Sequence, residues 1–98
     1  MHMKPSAALA LSTRAVREAT NRFRAANPRV FGSVLHGVDQ EGSDLELLVD
    51  ALPGAMLFDL GGLLAELEEL LGVSVHLLTP GDLPPDFRAR ILAEALPV

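Results

Sequence analysis

The chain contains no cysteine, tryptophan or tyrosine. Without cysteine there are no disulfides, no thiol chemistry and no thiolate zinc site. Aromatic residues make up only 4% of the chain, so the core has to be built from Leu, Val and Ala with few rigid anchors. No apolar run approaches the roughly 18 residues of a membrane span, and the N-terminus lacks the charged-then-apolar order of a secretory signal. A cytoplasmic protein with no membrane partner is the expectation. Basic residues are scarce after Phe31, where Arg88 and Arg90 stand against twelve carboxylates. That surface holds a phosphate backbone poorly, so nucleic acid is not an expected partner.

Hydrophobic residues, by contrast, are 49% of the 98, enough for one domain over 1–98 and not for a second that would select an acceptor. Leu and Ala at this density favour helices packed on a small sheet. A chain so short and apolar leaves surface to be covered, which points to a homodimer or a bound partner. Met1-His2-Met3 reads as a tag-derived opening, residues 1–10 are expected to be flexible or tag-derived, and His2 carries no functional weight. Residues 1–30 are basic, with Lys4, Arg14, Arg17, Arg22, Arg24 and Arg29 against Glu18. The arginines at 14, 17 and 24 are either a docking face for an acidic partner or the solvated side of a helix.

Val16, Ala19, Phe23 and Ala26 recur at helical spacing, predicting a first helix over residues 11–26 that Asn27-Pro28 ends. A short strand over 29–31 then runs into a turn at Gly32, with a helix start at Ser33 and a polar loop over 38–42. Residues 44–50 alternate as a strand, Leu45, Leu47 and Val49 on one face and Asp44, Glu46, Leu48 and Asp50 on the other. Residues 56–71 carry a leucine stripe that Gly72 closes. Gly61-Gly62 inside it suggests close packing against the sheet. Residues 73–78 form a third strand, interrupted only by Ser74 and His76. Pro84-Pro85 open a last helix with Phe87, Ile91, Leu92 and Ala95 on its buried side. The order is αβ(α)βαβα.

Phosphoryl transfer from a nucleotide needs backbone that can approach phosphates, followed by acidic ligands for a divalent ion. Gly32 lets the main chain come close, and Ser33 adds a hydroxyl at a helix start whose free N–H groups favour an anion. Asp44 and Glu46, two apart on a strand, offer hard oxygen ligands to one side. Each feature alone is ordinary. The string Gly32-Ser33-Val34-Leu35-His36-Gly37, five residues, then Ser43 through Asp50 is far more specific than its parts.

Over about residues 30–98 this pattern resembles the minimal nucleotidyltransferases, single-domain members of the DNA polymerase beta superfamily. The resemblance implies the nucleotidyltransferase fold: α/β (α+β), a small mixed sheet of about three strands with helices against it. It also implies a nucleotide site at Gly32, Ser33 and Ser43, magnesium (manganese as the alternative) on Asp44 and Glu46, and a catalytic set of Asp44, Glu46 and His76. ATP is the implied substrate and a hydroxyl of a partner protein the implied acceptor of AMP. The partner is a helical HEPN-type toxin, for which such proteins act as antitoxins.

The chain departs from that family at two of three carboxylates. Glu46 stands where a second aspartate is usual, one methylene longer than the octahedral geometry of magnesium favours. His76 stands where the third strand usually supplies an aspartate, exchanging a hard anion for an imidazole better suited to zinc, manganese or nickel. His76 is either a base for an acceptor hydroxyl or a half-buried histidine with one hydrogen bond. His36 is either a phosphate contact or a solvated loop residue, and Asp50 reads as a solvated strand end. Two readings of function follow: an active nucleotidyltransferase, or a catalytically impaired binding module that neutralises a HEPN-type partner by docking.

Overall fold

The computed structural model describes residues 3–98, so the tag reading of Met1 and His2 lies outside it. Helices α1 (Pro5–Leu11) and α2 (Thr13–Arg22) lead into strand β1 (Ala25–Phe31), a single helical turn α3 (Gly32–Leu35) and strand β2 (Leu45–Ala51). Helix α4 (Leu57–Leu71), strand β3 (Val75–Leu78), a 3₁₀ turn (Pro80–Asp82), helix α5 (Pro85–Glu94) and strand β4 (Leu96–Pro97) complete the chain. The sheet order is β3-β2-β1-β4. β1 is antiparallel to both β2 and β4, and β2 is parallel to β3. The fold class is as expected, an α/β domain with a mixed sheet, but with four strands in place of three. β4 is two residues long and contains Pro97, too short to show any alternation in sequence.

The N-terminal third differs most from the sequence reading. Residues 11–26 are not one helix: the chain breaks at Ser12, and α2 ends where Arg24 takes a left-handed conformation (φ 58). Ala25 and Ala26, apolar at helical spacing, belong instead to β1, where they face Ala51 and Asp50 of β2. Asn27-Pro28 is not the helix stop but an irregularity inside the strand. Asn27 is left-handed (φ 55), and the pairing register shifts between Ala26 and Arg29. Pro28 has no N–H to give to a ladder, yet its carbonyl accepts the N–H of Val98 at 2.9 Å. Nor is the 1–10 segment loose throughout: Pro5–Leu11 is helical, and Pro5, Ala8 and Leu9 are buried.

The sheet has two packed faces. Leu45, Leu47 and Val49 of β2 lie in the main core with Val16 and Ala19 of α2 and Leu63, Leu67 and Leu71 of α4. The other face carries Phe31 and Leu48, covered by Leu83 and by half-buried Leu35, Leu78 and Ile91. The alternation read along residues 44–50 therefore divides correctly. α4 ends at Gly72 in the left-handed conformation (φ 69), the expected C-terminal cap. Its glycine pair packs differently from expectation: Gly62 lies against the Phe23 ring, not the sheet, and Gly61 faces open space. α5 buries little. Phe87 and Leu92, expected on its inner side, are exposed, and Phe87 instead takes the Arg90 guanidinium over its ring at 5.2 Å.

Candidate nucleotide and metal site

The turn after β1 is shaped by Gly32, whose φ of +73° lies in the left-handed region that disfavours any side chain. It opens α3, one helical turn whose first N–H groups have no acceptor within it. Ser33 is the second residue of that turn and is half-buried. Glu46 stands opposite Phe31 in the β1–β2 ladder and opposite His76 in the β2–β3 ladder. Phe31, Glu46 and His76 therefore form a row across three strands on the second face of the sheet, next to the glycine turn.

Glu46 reaches back over that turn. A Cβ placed on Gly32 would coincide with the Glu46 carboxylate at Oε2. Gly32 is thus required twice, by its own backbone conformation and by the side chain lying on it. Asp44 sits just before β2, exposed, on the side to which Glu46 points. The half-buried reading of His76 is overturned: its side chain is exposed on β3 beside Glu46. Among the described residues, no cluster of three His, Asp or Glu side chains is arranged to hold a metal. Asp44 and Glu46 are two apart along the chain at the start of β2, and the Glu46 carboxylate lies over Gly32.

The neighbouring candidates have other tasks. The Ser43 hydroxyl accepts the Gln40 N–H at 3.0 Å and pins the turn that delivers Asp44. His36, just after α3, is exposed as the solvated-loop reading has it, and lies 3.4 Å from the Glu94 carboxylate of α5. Asp50 is more than a solvated strand end: it accepts hydrogen bonds from Arg29 and Asn27 at 3.2 Å each, fixing the strand irregularity from the β2 side. Of the basic stripe, Arg14 pairs with Glu18 at 3.1 Å, Arg17 donates to the Val98 carbonyl and Arg24 to the Gly54 carbonyl.

Asp39 was hidden in what reads as polar loop. Its side chain is buried, and its carboxylate accepts the Ser6 N–H at 2.9 Å in the first turn of α1. That hydrogen bond holds the Asp39 carboxyl below the usual aspartate range; partial burial opposes the shift, and Lys4 adds a small attraction. The loop that joins the glycine turn to Asp44 is thereby fastened to α1. Apart from the position of Asp39 between Gly37 and Gly42, the sequence holds no signal for this tie.

The chain is similar over its whole fold to a solved structure described as a "putative minimal nucleotidyltransferase", with a TM-score of 0.86 and 40% identity over 99% of this chain and 98% of that one. The chain is also 42% identical over 69 residues to a "putative protein adenylyltransferase" of Methanocaldococcus jannaschii, covering 70% of this chain and 74% of that protein. No family model matches the chain. Among the described residues, no helix is long and apolar enough to cross a membrane. With a glycine turn laid under a strand carboxylate and relatives matched over most of their length, this chain belongs to the minimal nucleotidyltransferases.

Proposed function

We propose that this protein transfers AMP from ATP to a hydroxyl group of a partner protein in the cytoplasm, as the antitoxin of a HEPN-type helical toxin. The observation that carries this reading is the contact of Glu46 with Gly32, which brings the carboxylate side of β2 against the turn that would receive phosphates. The name of the M. jannaschii relative supports adenylyl as the group transferred.

In this reading Gly32 and Ser33 seat the triphosphate through backbone N–H groups and one hydroxyl. Asp44 and Glu46 would hold magnesium, or manganese in its place. Two carboxylates completed by nucleotide phosphates are an ordinary magnesium set, and the residues present therefore fit such an ion. When bound, it supplies charge neutralisation at the phosphates. Transfer forms a bond from the acceptor oxygen to the α-phosphorus and breaks the bond from the α-phosphorus to the oxygen bridging to the β-phosphate, releasing pyrophosphate. The exposed His76 beside Glu46 is suited to take the proton from the acceptor hydroxyl.

A second reading has one specific observation in its favour: the third strand contributes His76 in place of a carboxylate, and no three-ligand cluster exists among the described residues. In that reading the protein neutralises its partner by docking alone. Incubating the protein with labelled ATP, magnesium or manganese and its HEPN-type partner separates the two. The transfer reading expects label on the partner, lost with Asp44→Asn; no label with either metal would refute it. Neutralisation that survives Asp44→Asn would establish the docking reading.

A further inference from the structure

Helix α4 turns one face to solvent that nothing among the described residues covers. Leu57 and Phe58 are 87% and 89% exposed, and Gly61 and Ala65, at helical spacing from them, are exposed on the same side. A glycine inside a helix weakens it relative to alanine. At Gly62 the reason is the Phe23 ring, but a Cβ on Gly61 would meet nothing within 4 Å. The face has a charge at either end. Among the described residues, exposed Arg24 reaches only the Gly54 carbonyl, at 3.5 Å, beside the start of α4. Glu69 is exposed in its last turn.

We propose that a second copy of this chain covers this face, with the two α4 helices antiparallel about a two-fold axis that crosses them between Gly61 and Ala65. The charge pattern selects this occupant. A two-fold axis sets the beginning of each α4 beside the end of the other, so Arg24 meets Glu69 of the second copy twice, and the helix dipoles oppose. A parallel pairing would set like charges together. Gly61 of one copy then lies against Ala65 of the other, and these small residues let the backbones approach until Leu57 and Phe58 leave water. α4 packs on the sheet face of Leu45, Leu47 and Val49, opposite to Glu46, so the dimer leaves the nucleotide site open.

Sedimentation velocity across micromolar concentrations of the full chain tests this. A reversible monomer–dimer equilibrium is expected. Phe58→Asp and Arg24→Glu should each weaken it by about tenfold or more, and Arg24→Glu combined with Glu69→Arg should regain most of the loss. Gly61→Leu should keep the circular dichroism of the folded chain while losing the dimer. Because the chain has no cysteine, an equal mixture of Gly61→Cys and Ala65→Cys chains should cross-link on oxidation more than either alone. A chain that stays monomeric overturns the proposal, even if the same face captures some other protein. So does a dimer indifferent to these substitutions, or a charge reversal without rescue.

Discussion

The Glu46 carboxylate occupies the space that a side chain on Gly32 would need, so strand β2 and the turn after β1 are fitted to each other at the level of single atoms. Gly32→Ala therefore carries two costs. The left-handed backbone disfavours alanine by about 1–2 kcal/mol, and the new methyl displaces Glu46. In Glu46→Ala the second cost vanishes. A urea-denaturation cycle over the two substitutions should give a coupling of roughly 0.5–3 kcal/mol. Strictly additive losses would mean that the carboxylate does not rest on the glycine.

Asp39 leads to a pH prediction. Its folded pKa is depressed, chiefly by the Ser6 N–H, so the ionised form stabilises the fold. That contribution is complete above the unfolded aspartate value of about 3.9 and disappears as pH falls through the lower folded value. Asp82 shifts in the same direction, held down by the N–H and hydroxyl of Thr79. Asp39→Asn should lower the melting temperature at neutral pH and by less at pH values below the folded pKa, so that the two melting curves converge in acid. It should also speed amide exchange at Ser6. An unchanged exchange rate there would show that the loop is not tied to α1.

The adjacent glycines of α4 should respond with opposite signs. Gly61→Ala adds a methyl in open space and gains helix propensity, about 1 kcal/mol of stability. Gly62→Ala drives a methyl into the Phe23 ring and should lose about 1–3 kcal/mol as an overpacked contact. Chemical denaturation of protein dilute enough to be monomeric checks both. Phe23→Leu in the Gly62→Ala background should recover part of the loss, since it removes the ring that clashes.

The two-residue alternation of β2 and the left-handed cap at Gly72 were legible because each is set by local chemistry over a few positions. The same is true of the order glycine turn, then acidic strand, which led to the family. The bounds of α2 and β1 were not, because Ala25 and Ala26 suit a helix and a strand alike, and pairing with Ala51 and Asp50 decides between them. Arg24 and Asn27 adopt left-handed backbone without being glycine, which no composition rule flags. The leucine stripe of α4 overstated burial: Leu57 is almost wholly exposed, and periodicity cannot say how far a helix extends beyond the sheet it covers. At the site, the residues that bear chemistry could be named, but their supports could not. Asp39 and Glu94 act across the fold on Ser6 and His36, while Gln40 acts within its own turn on Ser43.

The row formed by Phe31, Glu46 and His76 yields the last prediction, about the third strand. His76 is exposed and directly beside Glu46 in the parallel ladder, so a carboxylate placed there would face the same side without disturbing the core. If transfer is limited by a missing negative ligand, His76→Asp should raise AMP incorporation, and Glu46→Asp in the same chain should raise it further. Asp44→Asn should lower it by about 10²–10³, the scale for losing one preorganised charge-stabilising group. If His76 is the proton acceptor, His76→Asp changes the pH profile of transfer and His76→Gln abolishes its alkaline-rising limb. Intact-mass measurement of the partner across pH, scored for one added AMP, distinguishes these outcomes. Equal incorporation by wild type, His76→Asp and His76→Gln at every pH would remove His76 from the chemistry.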